Sequence, residues 1–214
     1  AIQGAAIPRR SWGSKIVVSG FEHPSVQLPV RALRDRGFEV VEIPPESDGH
    51  LDLDRLSAAV DKNTVLACCM AVNNETGAKQ DIAAFSAAVK ARNDRCFVHV
   101  DAVQAWLRLP IHLKALPCVD SLSVSGHKVH APKGIGALYV RQGLKLPAHI
   151  LGGGQEEGMR SGTEPMPQIA AFGEAVRIAK AEMPEANKRM EALRAQCVQT
   201  LTETVPGIVF LGGG

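Results

Sequence analysis

The sequence lacks most of what marks a nucleic-acid, membrane or disulfide-stapled protein. Its formal net charge is only +2, from 24 basic and 22 acidic side chains. No basic run is interleaved with aromatics, so a polyanion has no footprint to bind. No apolar run approaches the ~20 residues that a membrane span requires, and the N-terminus carries no signal-peptide pattern. The five cysteines include no C-x-x-C pair, and Cys68-Cys69 sits inside an apolar run, where buried structural thiols are the simpler reading. An odd set of thiols fits a reducing cytoplasm. Neither G-x-G-x-x-G nor G-x-x-x-x-G-K-[ST] occurs, which argues against a nucleotide-binding module. Internal repeats and low-complexity segments are absent too, and no metal site is expected.

What is there is a β/α alternation. A chain of 214 residues holds one domain with a sizeable core, or one domain and a fragment of another. Candidate strands are 15–20, 38–43, 64–72, 97–102, 121–126 and 136–140. Most are apolar throughout, as in strands covered on both faces. Between them lie helical patterns at 24–36, 52–61 and 81–93, with a short one near 112–116. Asp52 and Asp81 stand where N-caps belong. The expected fold is α/β, a mostly parallel doubly wound sheet. From about Pro167 to Thr204 the pattern becomes one long helix, with a kink expected at Pro184. The opening Ala1-Ile2-Gln3, without methionine, and the closing Leu211-Gly212-Gly213-Gly214 after a strand-like Ile208-Val209-Phe210 suggest a piece of something longer.

In an open parallel sheet, ligands bind beyond the carboxyl ends of the strands. Four such ends carry polar or ionisable groups: Phe21-Glu22-His23-Pro24, Asn73 to Gly77, Asp101 to Gln104, and Ser125-Gly126-His127-Lys128. A lysine and a carboxylate at adjoining strand ends suit pyridoxal 5'-phosphate (PLP): the amine bonds the cofactor aldehyde and the carboxylate keeps the pyridinium nitrogen protonated. Lysine also loses its proton readily on burial, and a buried Asp needs a cationic partner. Lys128 alone reads as a solvated surface lysine and Asp101 alone as a cap or turn residue; together they point to the cofactor.

The segments "EHPSV", "VNNETG", "HVDAVQ", "SGHKVHAPKGIGALYV" and "GGGQEEGMRSGTEP", in this order and spacing, resemble the cysteine desulfurase family of class V aminotransferase-like, fold type I PLP enzymes. The resemblance runs over nearly the whole chain. It implies a large PLP-binding domain over 1–204, lacking its N-terminal part, with a small C-terminal domain beginning at 205–214. It makes Lys128 the Schiff-base lysine and Asp101 the partner of the pyridine nitrogen. His23 would stack on the cofactor and help move protons. Asn74 and Gln104 would hydrogen-bond the cofactor, and Ser125 and His127 would hold its phosphate. Thr163 would reach the phosphate of the partner subunit's cofactor, implying a homodimer with Gly152-Gly153-Gly154 in a flexible arm. Set alone, His23, Asn73-Asn74 and Gln104 read as an ordinary helix start, turn and helix surface.

The implied reaction converts L-cysteine to L-alanine, with Lys128 as general base at Cα. Sulfur passes as a persulfide to a cysteine outside this chain, then to acceptor proteins of iron–sulfur cluster assembly or transfer-RNA thiolation. None of the five cysteines here matches the surroundings of that nucleophile. Selenocysteine lyase, cysteine sulfinate desulfinase or a class V aminotransferase of the same fold would share these cofactor residues, and a non-catalytic α/β fragment is the other reading. Two departures stand out: Ala131 where the family usually has glycine, and Glu157 where it usually has arginine. The resemblance also makes 136–140 the one antiparallel strand, with a bare apolar edge that predicts poor solubility of the chain alone.

Overall fold

The computed structural model describes residues 1–210. The expected start of a small domain at 205–214 therefore falls partly outside the described residues. Six strands form one sheet in the order β2-β1-β3-β4-β5-β6. They are β1 (Lys15–Ser19), β2 (Glu39–Ile43), β3 (Thr64–Met70), β4 (Phe97–Asp101), β5 (Ser121–Ser125) and β6 (Gly136–Val140). The first five are parallel and β6 alone runs antiparallel, pairing Ser121 with Val140 and Ser125 with Gly136.

Alternation along the strands explains why they are apolar throughout. Ile16, Val18, Leu66 and Cys68 face one layer, with α1 (Ile2–Ala6) and α2 (Pro24–Arg34) packed on it. Val17, Ala67 and Cys69 face the other, against α3 (Leu53–Ala59) and α4 (Ile82–Arg92). Every residue of β3 is buried. Cys68 and Cys69 thus point to opposite layers, and burial pushes both thiols well above the ordinary range. They are inert packing groups.

Local signals hold the helices where the sequence puts them. The Asp52 carboxylate accepts from the backbone N–H groups of Asp54 and Arg55, and Asp81 accepts from that of Ala84. Each satisfies donors that a helix start leaves free. The return into β6 depends on glycine twice. Gly134 has φ +84°, and a Cβ on Gly136 would lie 2.6 Å from the Val124 carbonyl oxygen. Only a residue without Cβ lets the two strands approach so closely. β6 is the sheet edge, and its Leu138 is exposed.

Two expectations change. The segment near 112–116 is only a 3-10 turn, Leu113–Ala115. Ile208–Phe210 is irregular rather than extended into a strand, because a strand needs a ladder partner and none lies beside it among the described residues. The long helix α5 (Met166–Thr204) is continuous through Pro184, and none of its residues is buried. It touches the body through Trp106–Phe172 ring packing and a hydrogen bond from Asn187 Nδ2 to the Arg108 carbonyl.

Candidate active site

A cavity of about 870 Å³ opens at the carboxyl ends of the strands, on the layer that α1 and α2 cover. Small-molecule sites typically span about 300–1,000 Å³. His23, Asn74, Asp101, Gln104, Ser125, His127 and Lys128 all line it. Thr163 does not. It is exposed in the loop before α5.

The register puts Met70, Asp101 and Ser123 in one row across β3, β4 and β5, and all three line the cavity. Asp101 is the last residue of β4 and is 5 % exposed. Its carboxylate accepts from the Val103 N–H at 2.9 Å and has no ion-pair partner among the described residues. Burial raises its pKa, opposed by that hydrogen bond and by His23. A carboxylate so placed favours a cationic N–H donor opposite it.

β5 ends at Ser125, and the 3-10 turn Gly126–Val129 carries His127 and Lys128 beyond it. Ser125 Oγ and His127 Nδ1 are 2.6 Å apart, a linked hydroxyl–imidazole pair on the cavity wall. The turn is held from behind: Arg108 donates to the Lys128 carbonyl at 3.2 Å, and His130 closes it with φ +63°. Lys128 is half-buried and has no carboxylate within ion-pair distance among the described residues.

His23 is the N-cap of α2. Its Nδ1 accepts from the Ser25 backbone N–H at 3.1 Å and lies 2.8 Å from Ser25 Oγ. In the neutral ring that acceptor role places the proton on Nε2. After β3, Asn73 makes the turn. Its Oδ1 accepts from the N–H groups of Glu75 and Thr76, and its Nδ2 donates to the Phe21 carbonyl. The plain-turn reading is therefore right for Asn73, and its neighbour Asn74 is left to the cavity.

His99 belongs to the cavity wall too, and no role was assigned to it from the sequence. It lies two residues before Asp101 on β4, hence on the same face. Its Nδ1 is 2.7 Å from Ser121 Oγ, its cross-strand partner in the register. Burial pushes its pKa down to about 3, so the ring is neutral. Period-two counting back from Asp101 finds it. No cysteine lines the cavity.

The sequence matches the class-V aminotransferase model over residues 2–213. The chain belongs to the class-V aminotransferase family. Within the family it is 47% identical over 196 residues to the cysteine desulfurase IscS of Klebsiella pneumoniae, covering 91% of this chain and 48% of that protein. The fold superposes on a NifS-like protein with a TM-score of 0.91 at 39% identity, over 94% of this chain and 55% of that one. A structure described as SspA in complex with cysteine matches at a TM-score of 0.77 and 38% identity, over 82% and 50% of the two chains. The chain thus spans about half the length of the curated relatives it matches. Class-V aminotransferases of the desulfurase kind imply PLP as cofactor, and this cavity fits it. It has the volume, a buried carboxylate with no cationic partner, a strand-end amine and a hydroxyl–imidazole pair.

Proposed function

We propose that the chain is the PLP-binding large-domain part, residues 1–204, of a cysteine desulfurase that converts L-cysteine to L-alanine. The observation that carries this is the placement of Asp101 and Lys128. A buried carboxylate without a cation and an amine without a carboxylate line one cavity from the ends of neighbouring strands. Each lacks the partner that the other's side of a PLP ring offers.

When bound, PLP supplies an electron sink for bond breaking at the substrate Cα. The protein's part is to hold and orient. Lys128 would hold the cofactor through Nζ and, once freed, would serve as the base at the substrate Cα. Asp101 would pair with the ring nitrogen and favour its protonated form. The Ser25 contacts leave the proton of a neutral His23 ring on Nε2, which would serve proton transfer beside the cofactor. Asn74 and Gln104 would hydrogen-bond the cofactor, and Ser125 and His127 would hold its phosphate. Thr163, exposed and not part of its own cavity wall, is assigned to the cavity of a second copy, which makes the active form a homodimer. The sulfur-accepting cysteine is assigned outside this chain, since Cys68, Cys69 and Cys96 are buried and neither Cys118 nor Cys197 lines the cavity. Delivery to acceptor proteins for iron–sulfur clusters or transfer-RNA thiolation, in the cytoplasm, is the remaining part of this reading. Among the described residues no helix is long and apolar enough to cross a membrane.

The test is PLP binding followed by borohydride trapping and peptide mapping, with Lys128→Ala beside wild type. The adduct is expected on Lys128 and lost in the variant. An adduct on another lysine, or no binding even by a chain extended to the relatives' length, sinks the proposal. With the extended chain, alanine formed from L-cysteine, against product from selenocysteine or cysteine sulfinate, settles the substrate.

A further inference from the structure

We infer that Glu22 is a positioning residue for this cavity: its carboxyl clamps the β1–α2 turn onto the end of β3 and so fixes His23 at the cavity wall. Glu22 is 4 % exposed and does not itself line the cavity. Only Gly20, Phe21 and Glu22 separate the end of β1 from His23. Glu22 Oε1 accepts the Met70 N–H at 2.6 Å and the Ser19 hydroxyl. Asn73 fastens the same turn through the Phe21 carbonyl, and Gly20 N–H donates to Ile43 at 2.7 Å. Met70 is the register partner of Asp101. One side chain thus ties the residue before His23 to the row that carries Asp101. A buried carboxyl holding a backbone amide and a hydroxyl is a costly group to keep unless it sets geometry.

The protonation state fits a clamp rather than a charge. Glu22 Oε2 is buried with no hydrogen-bond partner. The titratable groups facing it are Cys68 and Cys69 of β3, Asp101 of β4 and the adjacent His23, with no lysine or arginine paired to it. Burial raises Glu22 to about 7, and the charge of Asp101 adds to the rise. Asp101, which lines the cavity, is the carboxylate that the cavity sees. Glu22 remains largely an acid up to about one pH unit below its midpoint of about 7.

The experiment uses the full chain with Glu22→Gln, Glu22→Ala, His23→Ala and the Glu22→Ala/His23→Ala double variant. It has three readouts: PLP titration, the His23 ring resonance by NMR, and melting temperature against pH without cofactor. Glutamine keeps the acceptor oxygen and is expected to keep PLP affinity within about threefold and the His23 resonance in place. Alanine is expected to shift that resonance and weaken PLP about tenfold or more, with the double variant no weaker than the weaker single one. Wild type is expected to lose melting temperature from pH 5 to 8, and Glu22→Gln to lose less.

Unchanged PLP affinity and His23 resonance in Glu22→Ala would overturn the inference, as would full additivity with His23→Ala. Should Glu22→Ala not fold, the glutamine variant decides: a tenfold loss of affinity there overturns a neutral clamp. Only the PLP readout rests on the proposed function. If neither wild type nor the chain extended to the relatives' length takes PLP, that reading fails, while the resonance and the melting slope still judge the clamp.

Discussion

The two ends of the sheet treat a buried aspartate in opposite ways. At the amino ends of the strands, Asp120 is 2 % exposed in its side chain and fully served: Lys90 Nζ lies 2.7 Å away, Arg141 grips the other oxygen, and the Val98 N–H donates at 2.8 Å. Lys90 also donates to the carbonyls of Asp94 and Cys96. That end is a closed ionic knot joining α4, β4 and the flanks of β5 and β6. At the carboxyl ends, Asp101 has one backbone donor and no cation, and Lys128 has no anion. Charges that a fold needs are paired within the chain; charges left open are those a ligand completes.

The difference is open to attack from both ends. The largest expected effect comes from Asp120→Ala, which leaves Lys90 buried beside carbonyls alone; removing one partner of such a group costs about 3–5 kcal/mol. Urea denaturation should register it, and a loss under 1 kcal/mol would dissolve the contrast. Next is the pH dependence of the cofactor-free chain. Glu22 titrates at about 7 when folded against 4.5 when unfolded, so the folded state holds more protons between these values. The contribution of this group to stability is fullest below about pH 4.5 and is lost as pH rises to about 7, roughly 3 kcal/mol at ~1.4 kcal/mol per pH unit. Glu22→Gln should remove that slope. The raised Asp101 adds a fall of the same sign.

Asp101→Asn is the converse of the Asp120 change. It removes an uncompensated buried charge while keeping an acceptor for Val103, so the folded chain should be no less stable than wild type near neutral pH, yet bind PLP far more weakly. Measured stability and affinity falling together would mean that Asp101 is structural after all. The smallest effect belongs to Lys128→Ala, expected within about 0.5 kcal/mol of wild-type stability, since its side chain makes no ion pair. It should still abolish the trapped adduct.

Much of this was legible in the sequence because burial on both faces leaves an unmistakable mark. β3 reads as apolar from Thr64 to Met70 and is wholly enclosed. Asp52 and Asp81 announced their helices because a cap is a local contact. The strand-end polar groups were visible because the turns that carry them interrupt apolar runs. His99 was harder: it sits inside such a run, and only its register with Ser121 gives it a partner. Glu22 reads as one more polar group at a strand end, but its hold on Met70 spans 48 positions. Ile208–Phe210 has the composition of a strand without the neighbour that makes one. Thr163 has no place in its own cavity, so nothing within a single chain could test it.

The long helix has a mechanical consequence. Among the described residues its last side-chain hydrogen bonds to the sheet body come through Asn187 and Met190, both at Arg108, whose guanidinium also donates to the Lys128 carbonyl. From Met190 to Thr204 the rod runs on for about 20 Å at ~1.5 Å per residue, and a tilt of about five degrees moves its tip by about 2 Å. Arg108 thereby joins the long helix to the backbone of the lysine on which the proposed chemistry turns.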